Sequence, residues 1–343
     1  MSDAAWGGTF IPSRRCCPNI LPAGESIRAG ESRPASAGRL TGHAVSAYAR
    51  RTVATRHAGH DNRAKHEKPA SLPPIAFLGA GQMAEAFVRG LLGARLVEPS
   101  AVWVSDVRPG RAPELARQLG VQAATSNLEA VQAAELVLVS VKPQDVPGLL
   151  GEVGADVRAD QLVVSIAAGV TLRTLERLLP HHPPVIRVMP NTPALVQAGM
   201  AVLAPGSRAG AEHEAIVLRL FGALGRAIVL PERHLDAVTA LSGSGPAFLA
   251  IVAEALSDAG VRVGLPRDVA HLLAAQTMLG TGRMLADTGM HPALLKEAVT
   301  SPGGTSIAGV HAMERGGIRA LLMDAIVAAT ERSAELGRAA GGG

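Results

Sequence analysis

The chain has 343 residues, of which 48% are hydrophobic and 18% are charged, and its formal net charge is +4. This length and apolar content suffice for a packed core of one or two domains. The sequence contains no apolar run long enough to cross a bilayer, and its two cysteines, the adjacent Cys16 and Cys17, predict neither a disulfide framework nor a metal site.

The first 72 residues differ from the remainder in charge. They contain eleven of the 33 Lys and Arg residues but only five of the 29 acidic residues, so the remainder is slightly acidic and gives no indication of nucleic-acid binding. The segment lacks an apolar period and is rich in Arg, Ser, Gly, Ala and Pro, which predicts disorder. Its acidic residues argue against a transit peptide. Two explanations stay open: a flexible tail, or an upstream start that the working protein lacks.

A glycine-rich turn begins the region that we expect to fold. The apolar run 75–78 predicts a buried parallel strand, and a helical apolar period follows the turn. The turn itself, residues 79–84, reads GAGQMA, a G-x-G-x-x-A fingerprint. Its first glycine permits a tight turn, its second lets the backbone approach a pyrophosphate, and its alanine lets the helix pack closely on the strand. The residues predicted to bind a dinucleotide here are Gly79, Ala80, Gly81, Gln82 and Met83.

The predicted second strand, residues 101–106, ends where the ribose-binding residue of a dinucleotide fold belongs. Asp106 would accept a hydrogen bond from a ribose 2′-hydroxyl and favour NADH. Arg108 would pair with a 2′-phosphate and favour NADPH, unless it is a solvated loop charge. Ser105 would donate to either cofactor. The sequence pattern therefore indicates a nicotinamide dinucleotide without deciding which one.

Strand and helix patterns alternate from residue 75 to about 230. Strands are predicted at 75–79, 101–106, 121–124, 135–141, 161–166, 185–189, 200–204 and 226–230. Helices are predicted between them, for example at 82–93, 111–119, 171–179 and 210–223. This alternation predicts an α/β fold, a Rossmann-type doubly wound parallel sheet covered by helices on both faces.

After about residue 232 the strand patterns stop and an all-α helical domain is predicted. Its helices are expected at 246–260, 267–287, 291–299, 306–315 and 317–337. We therefore divide the chain into a leader (1–72), an NAD(P)-binding domain (73–232) and a helical dimerisation and substrate domain (233–343). Five helices with many small residues would leave apolar surface exposed in a single copy, which favours an oligomer.

A second glycine motif, residues 300–307 with the sequence TSPGGTSI, precedes one of these helices. Pro302 fixes the turn, while Gly303 and Gly304 leave the main chain bare. The free N–H groups and the positive end of the following helix suit a carboxylate or a phosphate. A plain glycine-rich connection between helices is the alternative.

With both motifs in view, the chain resembles the pyrroline-5-carboxylate reductase family. The matching segments cover about residues 73–340 and none of the first seventy. They read FLGAGQMAEAFVRGLL (77–92), SVKPQDV (140–146), VSIAAGVTL (164–172), RVMPNTPALV (187–196), DAVTALSGSGPAFL (236–249), DAGVRVGLPR (258–267), LKEAVTSPGGTSIAGV (295–310) and ERSAELG (331–337). The most specific parts are MPNTPA, LSGSGPA and TSPGGT in this order.

The resemblance implies hydride transfer from NAD(P)H to L-1-pyrroline-5-carboxylate, which gives L-proline in the last step of proline synthesis. It implies a preference for NADPH with NADH also accepted, a cytoplasmic location, and a homodimer, alone or joined with others in a ring. It also places Asn127 at the adenosine half of the cofactor. Further cofactor-lining residues implied are Val141, Lys142, Pro143, Ala167, Ala168 and Gly169. Lys142 is expected to contact ribose or phosphate, or to order its loop, rather than to donate a proton.

On the substrate side, the carboxylate fits the main chain at the start of the helix after the second glycine motif. The residues expected to bind substrate are Ser301, Gly303, Gly304, Thr305 and Ser306. Ser306, where the family more often has threonine, is the expected catalytic residue. Its hydroxyl would either donate the proton to the ring nitrogen or only orient the imine, and an N-cap is the structural alternative. No metal is expected.

Other interpretations of the chain are less well supported by its motifs. A β-hydroxyacid dehydrogenase or a general imine reductase shares the glycine turn but not TSPGGT together with LSGSGPA, and a non-catalytic cofactor-binding protein would have little need of a carboxylate site. The only tyrosine, Tyr48, lies in the leader, which excludes a reductase that uses a tyrosine of the body as acid. Residues 242–246, SGSGP, lack the preceding strand of a nucleophile elbow. Glu232 and Glu297 are expected to be surface charges, and Asn191 and Thr192 lie either beside the nicotinamide or in a purely structural turn.

Overall fold

The structure is a computed structural model that describes residues 71–341. Residues 1–70 of the predicted disordered leader, together with Cys16, Cys17 and Tyr48, therefore lie outside the described residues. At the end of the leader the prediction is wrong, because Leu72 is 3% exposed and donates its N–H to Leu96 O at 2.7 Å. The described residues belong to one contiguous unit by their contacts, so the division at residues 232 and 233 stays a prediction based on the types of element.

All eight predicted strands are present in the described part of the chain and form one sheet. They are β1 (Ile75–Leu78), β2 (Val102–Ser105), β3 (Gln122–Ala123), β4 (Leu136–Val139), β5 (Leu162–Ser165), β6 (Val185–Met189), β7 (Gly199–Pro205) and β8 (Gly225–Val229). The helices between them are α1 (Gln82–Gly93), α2 (Arg111–Leu119), α3 (Asn127–Gln132), α4 (Val146–Val153), α5 (Leu172–Arg177) and α6 (Ala211–Gly222).

The strand order β3-β2-β1-β4-β5-β6-β7-β8 contains the arrangement of a dinucleotide-binding Rossmann sheet in its first six strands. The expectation of a wholly parallel sheet is wrong at one position, because β6 and β7 pair antiparallel. Only residues 190–198 connect these two strands, and they contain a short 3₁₀ turn instead of a crossover helix. A connection this short returns the chain beside the strand it has just left, so β7 and β8 run opposite to the others.

Both faces of the sheet are covered. Along β1, Ile75 and Phe77 point into the core beneath α1, α2 and α6, whereas Ala76 and Leu78 point into the core beneath α3, α4 and α5. On the first face the rings of Phe87 and Phe221 meet edge to face with centroids 4.6 Å apart. Each such fully buried side chain contributes about 1.5–3 kcal/mol. The doubly wound α/β prediction is confirmed. In this fold the loops that follow β1, β2, β4 and β5 lie at one edge of the sheet.

The chain beyond Glu232 is helical. It comprises α7 (Leu235–Val238), a π-helical turn (Thr239–Gly243), α8 (Gly245–Arg262), α9 (Arg267–Thr288), α10 (Pro292–Ala298), α11 (Thr305–Arg315) and α12 (Ile318–Gly341). The five predicted helices are present, whereas the sequence pattern did not predict α7 or the π-helical turn. In a single copy the large apolar side chains of these helices are exposed, for example Leu249 (57%), Leu272 (65%) and Leu321 (63%).

One stretch of this region, Glu232–Arg262, is also long and apolar enough to cross a membrane by length and composition alone. The sequence prediction of no membrane span did not identify it. Only 11% of its apolar window is buried within the single chain. Its helix packs along α9, and its free apolar face has the character of a surface between protein copies.

Candidate active site

The turn after β1 is held in shape by hydrogen bonds from both neighbouring strands. Gly79 donates its N–H to Ser105 O at 2.9 Å, and Ser140 Oγ donates to Gly79 O at 2.8 Å. Gly79 has a φ of +100°, and a Cβ built on it would lie 2.9 Å from Val141 Cγ1. This position therefore requires glycine for the fold itself.

Gly81 is different, because a Cβ built there would meet nothing within 4 Å. It precedes α1 with extended backbone angles and no side-chain cap. Within residues 71–341 the N–H groups of Gly81, Gln82 and Met83 have no acceptor. The turn thus offers an open space bounded by free N–H donors at a helix start, which fits the pyrophosphate of a dinucleotide.

Asp106, at the end of β2, faces the same turn. Its carboxylate accepts from Ala80 N–H at 2.8 Å and from both the backbone N–H and the guanidinium of Arg108 at 2.9 Å. Burial alone would raise the pKa of Asp106, but these hydrogen bonds outweigh it and lower the pKa below its ordinary value. In this structure the Asp106 carboxylate thus bonds to both the turn and Arg108. The side chain of Arg108 is 62% exposed. Which of the two reads the ribose stays a prediction.

Two residues that the sequence analysis did not single out also hold the turn. Arg111, the first residue of α2, donates to Ala80 O at 2.7 Å and pairs with Glu85 at 2.6 Å. The hydrogen bond from Arg111 lowers the pKa of Glu85, with a further contribution from Arg89. The arginine at the helix start was visible in the sequence, but no local pattern connects residue 111 with residues 80 and 85.

Ser105 and Asn127 contact each other. The buried Ser105 hydroxyl donates to Asn127 Oδ1 at 2.8 Å, and Asn127 Nδ2 donates to Glu152 at 3.1 Å. Asn127 is the first residue of α3, whose N-cap is the side chain of Ser126. The hydroxyl of Ser105 therefore donates its hydrogen bond within the protein in this structure. Its contact with the cofactor stays a prediction.

The loops after β4 and β5 lie at the same edge of the sheet. Lys142 precedes a 3₁₀ turn that begins at Pro143, and its exposed side chain makes no hydrogen bond or ion pair within the described part of the chain. After β5, Ala167 is buried, Ala168 is exposed, and Gly169 has a φ of +76°. Parallel strands present such loops to ligands at their carboxyl ends.

The segment Met189–Pro193 joins the sheet to the helical region. Asn191 Oδ1 accepts from Met200 N–H at 2.8 Å, and its Nδ2 donates to Ser242 O at 3.1 Å. The amide thus bonds to backbone on both sides, which favours the structural alternative for Asn191. Ser242 lies in the π-helical turn, and its buried hydroxyl has no hydrogen-bond partner among the described residues.

The second glycine motif forms a tight turn before α11. Gly304 is the N-cap residue, with no side-chain cap, and Ser306 is the second residue of the helix. The N-cap alternative for Ser306 is therefore wrong, because the cap position belongs to Gly304. The N–H groups of Thr305, Ser306 and Ile307, like the hydroxyl of Ser306, have no acceptor within residues 71–341.

The side chains around this turn are accessible. Ser301, Gly303 and Thr305 are exposed, and Ser306 is half-buried. Gly303 has a φ of +66°, which favours glycine, and a Cβ built on Gly304 would collide with the Ser301 hydroxyl unless that side chain rotated away. No hydrogen bond or ion pair within the described residues connects this turn with the turn after β1 or with the loops after β2, β4 and β5. No residue of α11 is buried.

Glu232 is not the free surface charge that we expected. Its Oε1 accepts from Leu172 N–H at 2.7 Å and pairs with Arg187 at 2.9 Å. Arg187 lies on β6 with only 7% of its side chain exposed. The pair therefore connects the start of the helical region to the sheet and to the start of α5.

Comparison with protein families gives two matches. A family described as "NADP oxidoreductase coenzyme F420-dependent" matches residues 74–169, and one described as "Pyrroline-5-carboxylate reductase dimerisation" matches residues 232–336. Together with the Rossmann sheet and the open glycine turn, these matches define a dinucleotide-dependent oxidoreductase. Its helical region indicates a homo-oligomer.

Curated relatives are more specific. A pyrroline-5-carboxylate reductase of Methanosarcina acetivorans is 44% identical over 77% of this chain and 98% of its own length. Pyrroline-5-carboxylate reductase 3 of Mus musculus is 44% identical over 77% of this chain and 96% of its own. The chain belongs to the pyrroline-5-carboxylate reductase family.

Solved structures agree with this assignment. A pyrroline-5-carboxylate reductase from Coxiella burnetii superposes with a TM-score of 0.74 at 32% identity and covers 78% of this chain and 99% of that one. The pyrroline carboxylate reductase of Plasmodium falciparum, solved with NADP bound, has a TM-score of 0.69 at 27% identity, over 77% of this chain and 98% of that one.

Proposed function

We propose that this protein reduces L-1-pyrroline-5-carboxylate to L-proline with NAD(P)H, the last step of proline biosynthesis. The supporting observation is the coexistence of two open main-chain sites, the Gly81 turn and the turn before α11, in a chain of this family. The first suits a pyrophosphate and the second a carboxylate. Reduced nicotinamide, when bound, supplies the hydride for the imine carbon, so the chain itself has to bind, orient and provide one proton.

The carboxylate site is built from main chain. The free N–H groups of Thr305, Ser306 and Ile307 point out of the start of α11, where the helix dipole also favours a negative charge. A carboxylate bound there fixes one side of the five-membered ring. Its ring nitrogen then lies within reach of a hydroxyl on the first turn.

Ser306 is the residue that we assign to the nitrogen. Its hydroxyl is half-buried, makes no hydrogen bond within residues 71–341, and is not used as a helix cap. A hydroxyl is both donor and acceptor, so it orients the imine and supplies or relays the proton that the nitrogen takes up. Cofactor contacts are proposed for the predicted residues at the sheet edge, from the Gly79 turn to the Gly169 loop.

The two sites are proposed to meet between copies of the chain. In one copy no hydrogen bond or ion pair within the described residues joins the turn before α11 to the cofactor loops. The exposed apolar side chains of α8, α9 and α12 provide a surface for a dimer. A further ring of dimers, a cytoplasmic location, and the absence of nucleic-acid or membrane partners are parts of the same proposal.

The cofactor is proposed to be NADPH, with NADH also accepted. Arg108 presents an exposed guanidinium beside the turn, and the Asp106 carboxylate is engaged by four hydrogen bonds, two of them from that guanidinium. A 2′-phosphate would gain a charge-assisted contact from Arg108. NADH lacks that group and loses only this contact.

A direct assay tests the proposed function. Purified protein is given NADPH and pyrroline-5-carboxylate, oxidation of NADPH is followed at its absorbance band, and L-proline is identified by mass spectrometry. Proline formation in proportion to NADPH oxidised is the expected result. NADPH binding without turnover would support the non-catalytic alternative. No reaction with the imine, but reduction of NADP+ when a 3-hydroxy acid is supplied, would support the dehydrogenase alternative.

A further inference from the structure

The loop after β5 is in direct contact with the last helix of the chain. A Cβ built on Gly169 would lie 3.5 Å from both the Cα and the N of Gly337 in α12, and a Cβ built on Gly337 would lie 3.4 Å from Gly169 O. Two main chains thus meet with no side chain between them. At these distances a Cβ at residue 337 would be in ordinary van der Waals contact with the main chain of Gly169, so a side chain larger than a methyl group on this face of α12 would press on the loop.

The same face of α12 is fixed one turn earlier. Ser333, only 7% exposed, donates its hydroxyl to Asp236 Oδ1 of α7 at 2.7 Å. Residues 333 and 337 are four positions apart and therefore share one face of the helix. This hydrogen bond therefore anchors to α7 the face of α12 that carries Gly337.

The remainder of the loop is fixed at both ends. At its start, Ile166 donates its N–H to Val139 O of β4 at 3.1 Å. At its end, Leu172 donates its N–H to Glu232, the residue paired with Arg187. Between these points Ala168 is exposed at the edge of the sheet where the cofactor is expected. Ala167 N–H also donates to Ser165 Oγ at 3.3 Å, so the contact with Gly337 is the restraint that acts on the loop from outside the sheet.

We propose that Gly337 is a positioning residue, which holds the Ala167–Gly169 loop in the conformation that binds the nicotinamide cofactor. It acts through Gly169 and touches neither substrate nor cofactor. The proposal rests on the proposed reaction for its relevance to turnover. The conformation of the loop itself can be measured without any reaction.

The test compares Gly337→Val with Glu335→Val. Valine is not a poorer helix former than glycine, so α12 is retained in the first variant. Its two methyl groups extend beyond a Cβ that would already contact Gly169 O, so they crowd the loop. Glu335 is exposed on the opposite side of α12 and gives the matched control. Ser333→Ala is the second variant, because it loosens α12 without adding volume and remains folded if valine at 337 is not tolerated.

Three measurements are made on each variant: amide hydrogen exchange of residues 166–172 without cofactor, the NADPH dissociation constant by fluorescence titration, and the oligomeric state by light scattering. For Gly337→Val we expect the amide exchange rates of this loop to rise about 10-fold. The NADPH dissociation constant should also rise about 10-fold, with the oligomeric state unchanged. Ser333→Ala should change both in the same direction by a smaller factor, and Glu335→Val should change neither.

Unchanged exchange and NADPH affinity in both Gly337→Val and Ser333→Ala would overturn the proposal. So would a loss of affinity that occurs only when the oligomer dissociates. If wild-type protein binds NADPH but forms no proline, the proposed function fails while these binding and exchange measurements still decide the role of Gly337.

Discussion

Gly79 and Gly81 are two positions apart in one turn, but the structure gives them different roles. Gly79 has a positive φ and its Cβ position is occupied by Val141, so the fold needs it. Gly81 borders open space, so the fold does not require glycine there, and we assign the requirement to the proposed cofactor. Similarly, the hydroxyl of Ser306 makes no hydrogen bond within residues 71–341, whereas Gly303, with its positive φ, shapes the turn in front of it.

Gly81→Val should therefore fold normally and bind NADPH poorly. A side chain in the space for the pyrophosphate costs about 1–3 kcal/mol, which is about 5- to 150-fold in affinity. Fluorescence titration gives the affinity, and thermal unfolding gives the stability. Gly79→Ala is the matched control and should lose stability. Wild-type NADPH affinity in folded Gly81→Val would mean that the cofactor binds elsewhere.

Arg108→Ala should raise the KM for NADPH more than that for NADH. Only NADPH has a 2′-phosphate, and an exposed charge-assisted contact is worth about 1–2 kcal/mol, or about 5- to 30-fold. Steady-state kinetics with both cofactors measure the ratio. Equal changes in the two KM values would remove Arg108 as the specificity residue and leave Asp106 or another group.

Ser306→Ala should lower kcat about 10- to 100-fold, because it removes one hydroxyl that acts on the imine nitrogen in the transition state. Binding of proline as an inhibitor should change little, since the N–H groups of α11 remain. Ser306→Thr keeps a hydroxyl and should keep most of the activity. Full turnover in the alanine variant would leave the protonated substrate or water as the source of the proton.

At the scale of elements, the turn after β1 is held by a hydrogen bond and an ion pair that join it and α1 to the start of α2. Arg111 at the start of α2 bonds to Ala80 O in the turn and to Glu85 in α1. The hydrogen bond from Arg111 lowers the pKa of Glu85 below the ordinary 4.5. The stabilisation from this carboxylate is complete above its unfolded-state pKa and is lost as the pH falls through the lower folded-state pKa.

Glu85→Gln tests this pair. At neutral pH the variant should be less stable than the wild type by about 0.5–1 kcal/mol, the scale of a partly exposed ion pair. The difference should shrink as the pH falls below 4.5, the ordinary pKa of Glu85, because only the wild type has a carboxylate to protonate. Urea unfolding at a series of pH values measures it. A difference that does not depend on pH would assign the effect to packing.

At the scale of the whole molecule, we propose that a second copy completes the active site. The cofactor turn belongs to the sheet and the carboxylate turn belongs to α11, and no hydrogen bond or ion pair within the described residues joins them. The helical region matches a dimerisation family and exposes large apolar side chains. A second copy would cover this surface and bring a carboxylate turn to each cofactor site.

Mixing two defective variants distinguishes a shared site from a site within one chain. Gly81→Val and Ser306→Ala subunits, co-expressed in equal amounts, should form mixed dimers in which one site has both defects and the other has neither. Since half of random dimers are mixed, about a quarter of wild-type activity should return. Either variant alone is the control. No recovery, with mixed dimers confirmed by mass spectrometry, would mean that both halves of each site come from one chain.

The sequence alone was sufficient to predict the sheet, the glycine turn, the five long helices and the family. Each of these depends on local periodicity or on a motif of adjacent residues. Tertiary structure decided what local patterns do not contain: the reversal between β6 and β7, the role of Asp106 in holding the turn, the pair of Glu232 with Arg187, and the contact of Gly337 with Gly169. These features join residues 13 to 168 positions apart, and which of these groups meet is determined only when the whole core packs.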